Sequence, residues 1–276
     1  MWTNLKVISI FVILLILSSS CQNEGVNLSN DTNKRVSQAQ LDDNTVVLHS
    51  KDISTAIPLA SIRSMTYHND RLYLAELSDQ DSLVKILDLV EQRIIGHLIQ
   101  KGSGPNELSF ADALSVRRGY FFLTDPYEFK IYRQPIEPKQ HIEWGGTDLE
   151  ITRLEGVFAD EIIPTEDAIF TTYYAAEEVA RFAEMDASGN LQAYMGTLPP
   201  HPDSATIDKR IYNMIFTAKS AIKPDDERFA LAYEYEDRIE IYDKAAKLLY
   251  TVKGPDFYHP EFDINERKNG VVNVRD

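Results

Sequence analysis

Cysteine is almost absent: Cys21 is the only one in 276 residues, so no disulfide can form within the chain. Long apolar runs are also missing. The stretch Val7 to Leu17 is too short for a helix that crosses a bilayer, which needs about 20 apolar residues. Basic residues are outnumbered, 28 Lys and Arg against 43 Asp and Glu, for a formal net charge of -15. A chain without cationic excess cannot displace phosphate counterions, which argues against nucleic acid and against electrostatic adhesion to anionic lipid. Signatures of catalysis are lacking too. There is no His-Glu-x-x-His, no Gly-x-Ser-x-Gly, and the six histidines (His49, His68, His97, His141, His201, His259) show no metal-ligand spacing. Asp79 and Asp81 form an Asp-x-Asp pair without the further ligands and glycine of a calcium loop, and read as a solvated hairpin tip. Nothing in the sequence calls for a cofactor.

The most informative segment that is present surrounds the lone cysteine. Lys6 gives a positive start, Val7 to Leu17 an apolar stretch, and Ser18, Ser19 and Ser20 a small-residue cleavage site before Cys21. A cysteine there resembles the bacterial lipobox, in which the thiol is acylated and becomes the new N-terminus. The pattern departs from the usual one in having Leu17 one position early and Ser18 three before the cysteine. Relaxed lipoboxes of this kind are similar to those of Bacteroidetes. The expected organisation is a signal over 1–20, a polar flexible tether over 21–45, and a folded domain over 46–276. The resemblance implies an outer-membrane lipoprotein of the cell envelope, with the periplasmic or surface face left open.

From Val46 onward short β-rich runs come in pairs, and the pairs recur. They are Arg71–Leu77 with Leu83–Asp88, Tyr120–Thr124 with Phe129–Arg133, Ala168–Tyr173 with Val179–Phe182, and Arg228–Tyr233 with Arg238–Asp243. Taking Tyr73, Phe122, Phe170 and Ala230 as equivalent gives separations of 49, 48 and 60 residues. A period of about 40–50 residues, each unit holding several short strands, predicts a radial β-propeller rather than a β-sandwich. His68-Asn-Asp70, Asp186 to Asn190 and Lys223 to Asp226 supply turn residues. The predicted core contains Leu72, Leu74, Phe122, Phe170 and Leu231. Arg238-Ile-Glu-Ile-Tyr242 alternates as a strand with one buried face does. The acidic cluster Glu234, Glu236, Asp237 and Glu240 reads as a charged edge that discourages strand-to-strand aggregation. Ala175 to Ala187 is the one stretch with a weak helical reading.

Ile86 to His97, then Lys101-Gly-Ser-Gly-Pro-Asn-Glu-Leu108, then Phe121 to Tyr132 resembles the TolB-like six-bladed propeller lipoproteins of Bacteroidetes. Gly102, Gly104, Pro105 and Glu107 match that family's glycine-proline loop, and Asn106 stands where glycine is usual. Asn tolerates a left-handed backbone, so the turn is retained. The resemblance implies an all-β propeller of four-stranded antiparallel blades, six-bladed in type. With four units recognisable, this chain reads as four to five blades, incomplete at the C-terminus, its ring left open unless a partner subunit completes it. Gly102 to Glu107 reads as a structural turn in which the Glu107 carboxylate accepts backbone N–H groups.

The functional expectation is a non-catalytic binding module that meets a protein or glycan partner in the envelope and reaches the membrane through Cys21. The alternative is a lactonase- or lyase-like propeller enzyme with a metal and carboxylates at a central channel.

Overall fold

The computed structural model describes residues 33–43, 61–77, 82–104, 107–136, 149–154, 157–165, 168–173, 178–200, 208–223, 225–265 and 271–275. A strand, β1 (Asn33–Arg35), and a short helix, α1 (Gln38–Asp43), come first. They lie within the stretch expected as a tether. Ser37 and Gln40 cap the helix reciprocally, Ser37 N–H donating to Gln40 Oε1 and Gln40 N–H to Ser37 Oγ.

Four sheets follow. The first holds β2 (Ser61–His68), β3 (Arg71–Leu77), β4 (Ser82–Asp88) and β5 (Arg93–Gln100) in sequence order. The second holds β6 (Leu114–Arg117), β7 (Tyr120–Asp125), β8 (Lys130–Pro135) and β9 (Glu150–Arg153). The third holds β10 (Ala159–Pro164), β11 (Ile169–Tyr173), β12 (Phe182–Met185) and β13 (Leu191–Met195). After α2 (Lys209–Ile215), the fourth holds β14 (Ala218–Ile222), β15 (Arg228–Tyr233), β16 (Arg238–Asp243) and β17 (Leu248–Lys253). β1 adds to its outer edge, parallel to β17 with Asn33 opposite Thr251. A separate hairpin, β18 (Glu261–Asn265) with β19 (Val271–Arg275), ends the described chain.

Sequential four-stranded antiparallel meanders are the blades of a β-propeller, and the protein is an all-β propeller. The six-bladed count is corrected: the described residues hold four blades and one two-stranded hairpin. Three of the four strand pairs read from the sequence are the second and third strands of their blades; in the third blade Ala168–Tyr173 covers β11, but Val179–Phe182 meets β12 only at Phe182. These central strands are covered on both faces, so their apolar residues dominate the sequence. Leu74, Phe122, Phe170 and Leu231 are buried as expected, whereas Leu72, near the start of β3, is only half-buried.

Local chemistry sets the turns. Asn69 and Asp70 (φ 49° and 58°) join β2 to β3, and Arg118 and Gly119 (φ 51° and 76°) join β6 to β7. Two positive-φ residues in a two-residue loop are the type I′ geometry that matches strand twist. Between third and fourth strands a recurring aspartate caps the turn. Asp88 Oδ1 accepts from Val90 and Glu91, Asp186 Oδ1 from Ser188 and Asn190, and Asp243 Oδ1 from Ala245 and Lys247. In the second blade Pro135 ends the third strand instead.

The chain gathers into two compact units, Leu48–Ala176 with Ala183–Ala193, and Met1–Val47 with Glu177–Phe182 and Tyr194–Asp276. The core of the first includes Tyr73, Leu98, Leu108, Phe121, Leu123 and Tyr132, with the Tyr73 and Phe121 rings 5.9 Å apart. In the second, Phe182 meets Tyr242 edge-on at 5.0 Å and Phe229 stacks on Tyr242 at 5.2 Å. Each such buried side chain stabilises the fold by about 1.5–3 kcal/mol. The helical reading of Ala175 to Ala187 is also corrected. Its described part carries β12, because pairing with β11 buries Phe182, Ala183 and Met185 completely and outweighs alanine's helix propensity.

Candidate functional site

Three loop segments meet at one end of the second blade, and one aspartate ties two of them together. Asp125 closes β7 and is fully buried. Its Oδ2 accepts from Ser109 Oγ at 2.9 Å and from the Phe110 N–H at 3.3 Å. Its Oδ1 accepts from the N–H groups of Tyr127 and Glu128 at 3.0 and 3.1 Å. The third segment is pinned by the Leu154 N–H donating to Phe129 O at 2.7 Å. Each of the three carries aromatic residues. Phe110 meets Tyr127 edge-on at 5.0 Å, Tyr127 meets Phe158 at 6.3 Å, and Phe158 meets Phe129 at 6.2 Å, all near perpendicular. Tyr127 is 65% exposed and Phe129 41%. Four rings on loops, two of them open to solvent, form a rigid apolar surface with little rotamer entropy to lose on contact. The ion pair of Lys130 with Glu128 gives it a charged rim. Below, burial raises the Tyr132 hydroxyl well above its ordinary range, with Glu128 and Asp125 adding to the effect and Arg153 opposing it. That hydroxyl therefore keeps its proton at physiological pH.

The glycine-proline loop leads directly into this surface. Gly102 N–H donates to Leu108 O at 3.0 Å, Leu108 N–H to Gln100 O at 3.1 Å, and Gly104 N–H to Glu107 Oε2 at 2.8 Å. A Cβ on Gly102 would lie 1.9 Å from Glu107 Oε2, so the glycine makes room for the carboxylate. Leu108 is then fully buried, and Ser109 and Phe110 emerge at the aromatic surface. Pro105 and Asn106 lie outside the described residues, as do Cys21, Asp79 and Asp81.

A second polar cluster lies in the other unit, around the fourth blade. Glu240 Oε2 accepts from the hydroxyls of Tyr233 at 2.6 Å and Tyr242 at 2.5 Å, and Glu240 Oε1 lies 3.6 Å from Arg238 Nη1. Arg238 Nε lies 2.8 Å from Glu236 Oε2, and His259 Nδ1 lies 3.4 Å from Glu236 Oε1. The charged-edge reading is thus corrected for Glu236 and Glu240. β16 is an inner strand, between β15 and β17, and both carboxylates are buried. The alternation of β16 is real, but its buried face is Arg238, Glu240 and Tyr242, while Ile239 and Ile241 are half-buried. The Tyr233 and Tyr242 hydroxyls and the Arg238 charge compensate Glu240, whereas Glu236 meets Arg238 and His259 by charge alone, its oxygens accepting no hydrogen bond among the described residues. Burial is the main reason the Glu236 carboxyl is pushed up to about 7; Arg238 opposes the rise, Glu240 adds to it and Lys253 opposes it.

Sequence reasoning found the glycine-proline loop and the turn Asp125-Pro-Tyr-Glu128, but it missed the aromatic surface. The available signal was a tyrosine inside that turn and a phenylalanine ending it, where turn residues are normally small and polar. Among the described residues no three His, Cys, Asp or Glu side chains are placed to share a metal ion. No described helix is long and apolar enough to cross a membrane.

No protein-family model matches the chain, and no curated protein matches it. Among solved structures it is similar to hydrazine synthase of Kuenenia stuttgartiensis (13% identity over 79% of this chain and 56% of that one, TM-score 0.43). It is also similar to the β-propeller domain of Cps50 (Swd1) from Myceliophteria thermophila (14% identity, 79% of this chain and 63% of that one, TM-score 0.42). A third is a member of the DUF4221 family from Bacteroides vulgatus (13% identity, 69% of this chain and 57% of that one, TM-score 0.44). The chain thus spans between 56% and 63% of the length of these structures. At these scores the likenesses decide nothing about activity, and the propeller class rests on the four blades of the chain itself.

Proposed function

We propose that the protein is a lipid-anchored β-propeller of the cell envelope that binds a protein or glycan partner through the aromatic loop end of its second blade, without catalysis. The observation that carries the binding role is the exposure of Tyr127 and Phe129 within a four-ring cluster held rigid by Asp125. Exposed aromatic side chains on a rigid support are the usual anchors of recognition, each worth about 2 kcal/mol or more when covered. The anchor rests on the order of Lys6, Val7 to Leu17, the three serines and Cys21. The glycine-proline loop supports kinship with TolB-like lipoproteins of Bacteroidetes, and with it an outer-membrane address.

The full-length chain is expressed in its native envelope beside the double variant Tyr127→Ala, Phe129→Ala, and both are isolated and analysed by quantitative mass spectrometry. Both proteins should begin at an acylated Cys21 and share one melting temperature, and the wild type alone should retain an envelope component. An intact Met1 or unmodified thiol overturns the anchor. Equal retention by both proteins overturns the binding surface.

A further inference from the structure

The strand β1 joins the outer edge of the fourth blade without burying an apolar side chain. It is held by backbone pairing, in register with Thr251, Val252 and Lys253, and the next residue, Val36, donates its N–H to Lys253 O at 2.9 Å. Two side chains add to this. Arg35 Nη2 donates to Pro255 O at 2.9 Å, and Lys34 Nζ lies 5.7 Å from the centre of the Tyr250 ring. Lys34 and Arg35 are the only basic residues over 22–45, so the stretch expected as a tether commits both of its cations to one blade.

The direction of the pairing matters most. β1 is parallel to β17, so the chain enters β1 from the end of the blade where β17 begins. The blade is an antiparallel meander, and that end also holds the turns after β14 and after β16. An ion pair across these two turns, Lys244 Nζ to Glu227 Oε1 at 3.3 Å, sets them side by side. The turn after β15, with Glu234 and Asp237, lies at the opposite end, one strand length or about 20 Å away. Asn33 lies twelve residues beyond Cys21, a span of about 40 Å even when fully extended. Turning the opposite end toward Cys21 would make the chain double back along the blade and use up about half of that span. Released from β17, the same chain would reach about 75 Å to Asp43, with neither end of the blade favoured.

We propose that β1 is a clip that orients the fourth blade at the membrane, turning the end with the β14 and β16 turns toward the lipid surface. The inference rests on the reading of Cys21 as the lipid anchor and goes beyond it in naming which end of the blade faces lipid. It does not depend on the aromatic surface, which lies in the other compact unit.

The test takes the full-length chain from its native envelope and adds it to preformed phosphatidylcholine vesicles whose headgroups carry an acceptor dye. A donor dye is attached to Ala245→Cys, in the turn after β16, or to Glu234→Cys, at the opposite end; both positions are exposed, and an acylated Cys21 does not compete for the dye. Energy transfer should be about two-fold or more greater from position 245 than from position 234, given the strand length between them. Lys34→Pro with Val36→Pro removes the backbone donors on the side of β1 that faces β17, and should bring the two positions to equal transfer. Equal transfer from both positions in the chain with β1 intact, greater transfer from position 234, or a difference that survives the two prolines overturns the clip. The first two of these outcomes need no change in β1. Mass spectrometry before the vesicles are added separates the other failure: an unmodified Cys21 overturns the anchor and this inference with it, whereas an acylated Cys21 with no difference between positions overturns the clip alone.

Discussion

At the scale of single residues, the sharpest consequence belongs to Glu236. Its carboxyl is raised to about 7, mainly by burial, while the groups facing it are Arg238, Glu240, Lys253 and His259. In the unfolded chain the same carboxyl releases its proton near its ordinary value of about 4.3. Between those values the folded state holds the proton and the unfolded state does not, so the folded state binds more protons and stability falls as pH rises. The contribution is fully present below about pH 4 and is lost by about pH 7, amounting to roughly 3 kcal/mol. Glu236→Gln should remove this slope. Urea midpoints of wild type and variant measured at pH 5 and pH 8 should therefore diverge, with the variant gaining relative to wild type at pH 8. Parallel pH dependences would show that Glu236 titrates normally.

At the scale of elements, the recurring aspartates make a claim that the apolar pattern alone does not. Asp243 Oδ1 holds two backbone N–H groups of its turn, and Asp88 and Asp186 do the same in their blades. Asp243→Ala should cost about 1–2 kcal/mol, read as a lower thermal midpoint with unchanged circular dichroism, because two charge-assisted hydrogen bonds are lost at an exposed turn. A larger loss, or an altered spectrum, would mean that the turn nucleates the blade rather than trimming it. The second and third strands of the first two blades, and β11 and β15, were legible in the sequence because burial fills them with Leu, Phe, Ile and Tyr, whereas the reading Val179–Phe182 met β12 only at Phe182. First and fourth strands were less legible. β2 leaves Ile62, Met65 and Tyr67 largely exposed, and β9 and β13 are short and half-polar, so neither carries a clean period. β1 was illegible for a different reason. It is held by backbone pairing with β17, by Val36 N–H donating to Lys253 O, and by Arg35 Nη2 donating to Pro255 O, none of which demands apolar side chains. β16 misled because its charged residues face inward, which only the partners Tyr233, Tyr242 and Arg238 explain.

For the whole molecule, the four blades account for the recurring period, and loops within and between them carry the surface proposed to act. Phe110, Tyr127, Phe129 and Phe158 come from three separate segments, so the local signal at Tyr127 and Phe129 could not announce the four-ring surface. Their convergence depends on Asp125 and on the pairing of Leu154 with Phe129. The most direct measurement places the photoreactive residue p-benzoylphenylalanine at position 127 in the full-length chain in its native envelope. The same residue at position 90, where Val90 is 75% exposed on a turn of the first blade, serves as the control. The expected result is one discrete, saturable adduct from position 127 and none from position 90. Adducts of equal yield from both positions, or none above background from position 127, would contradict a binding role for the aromatic loop end.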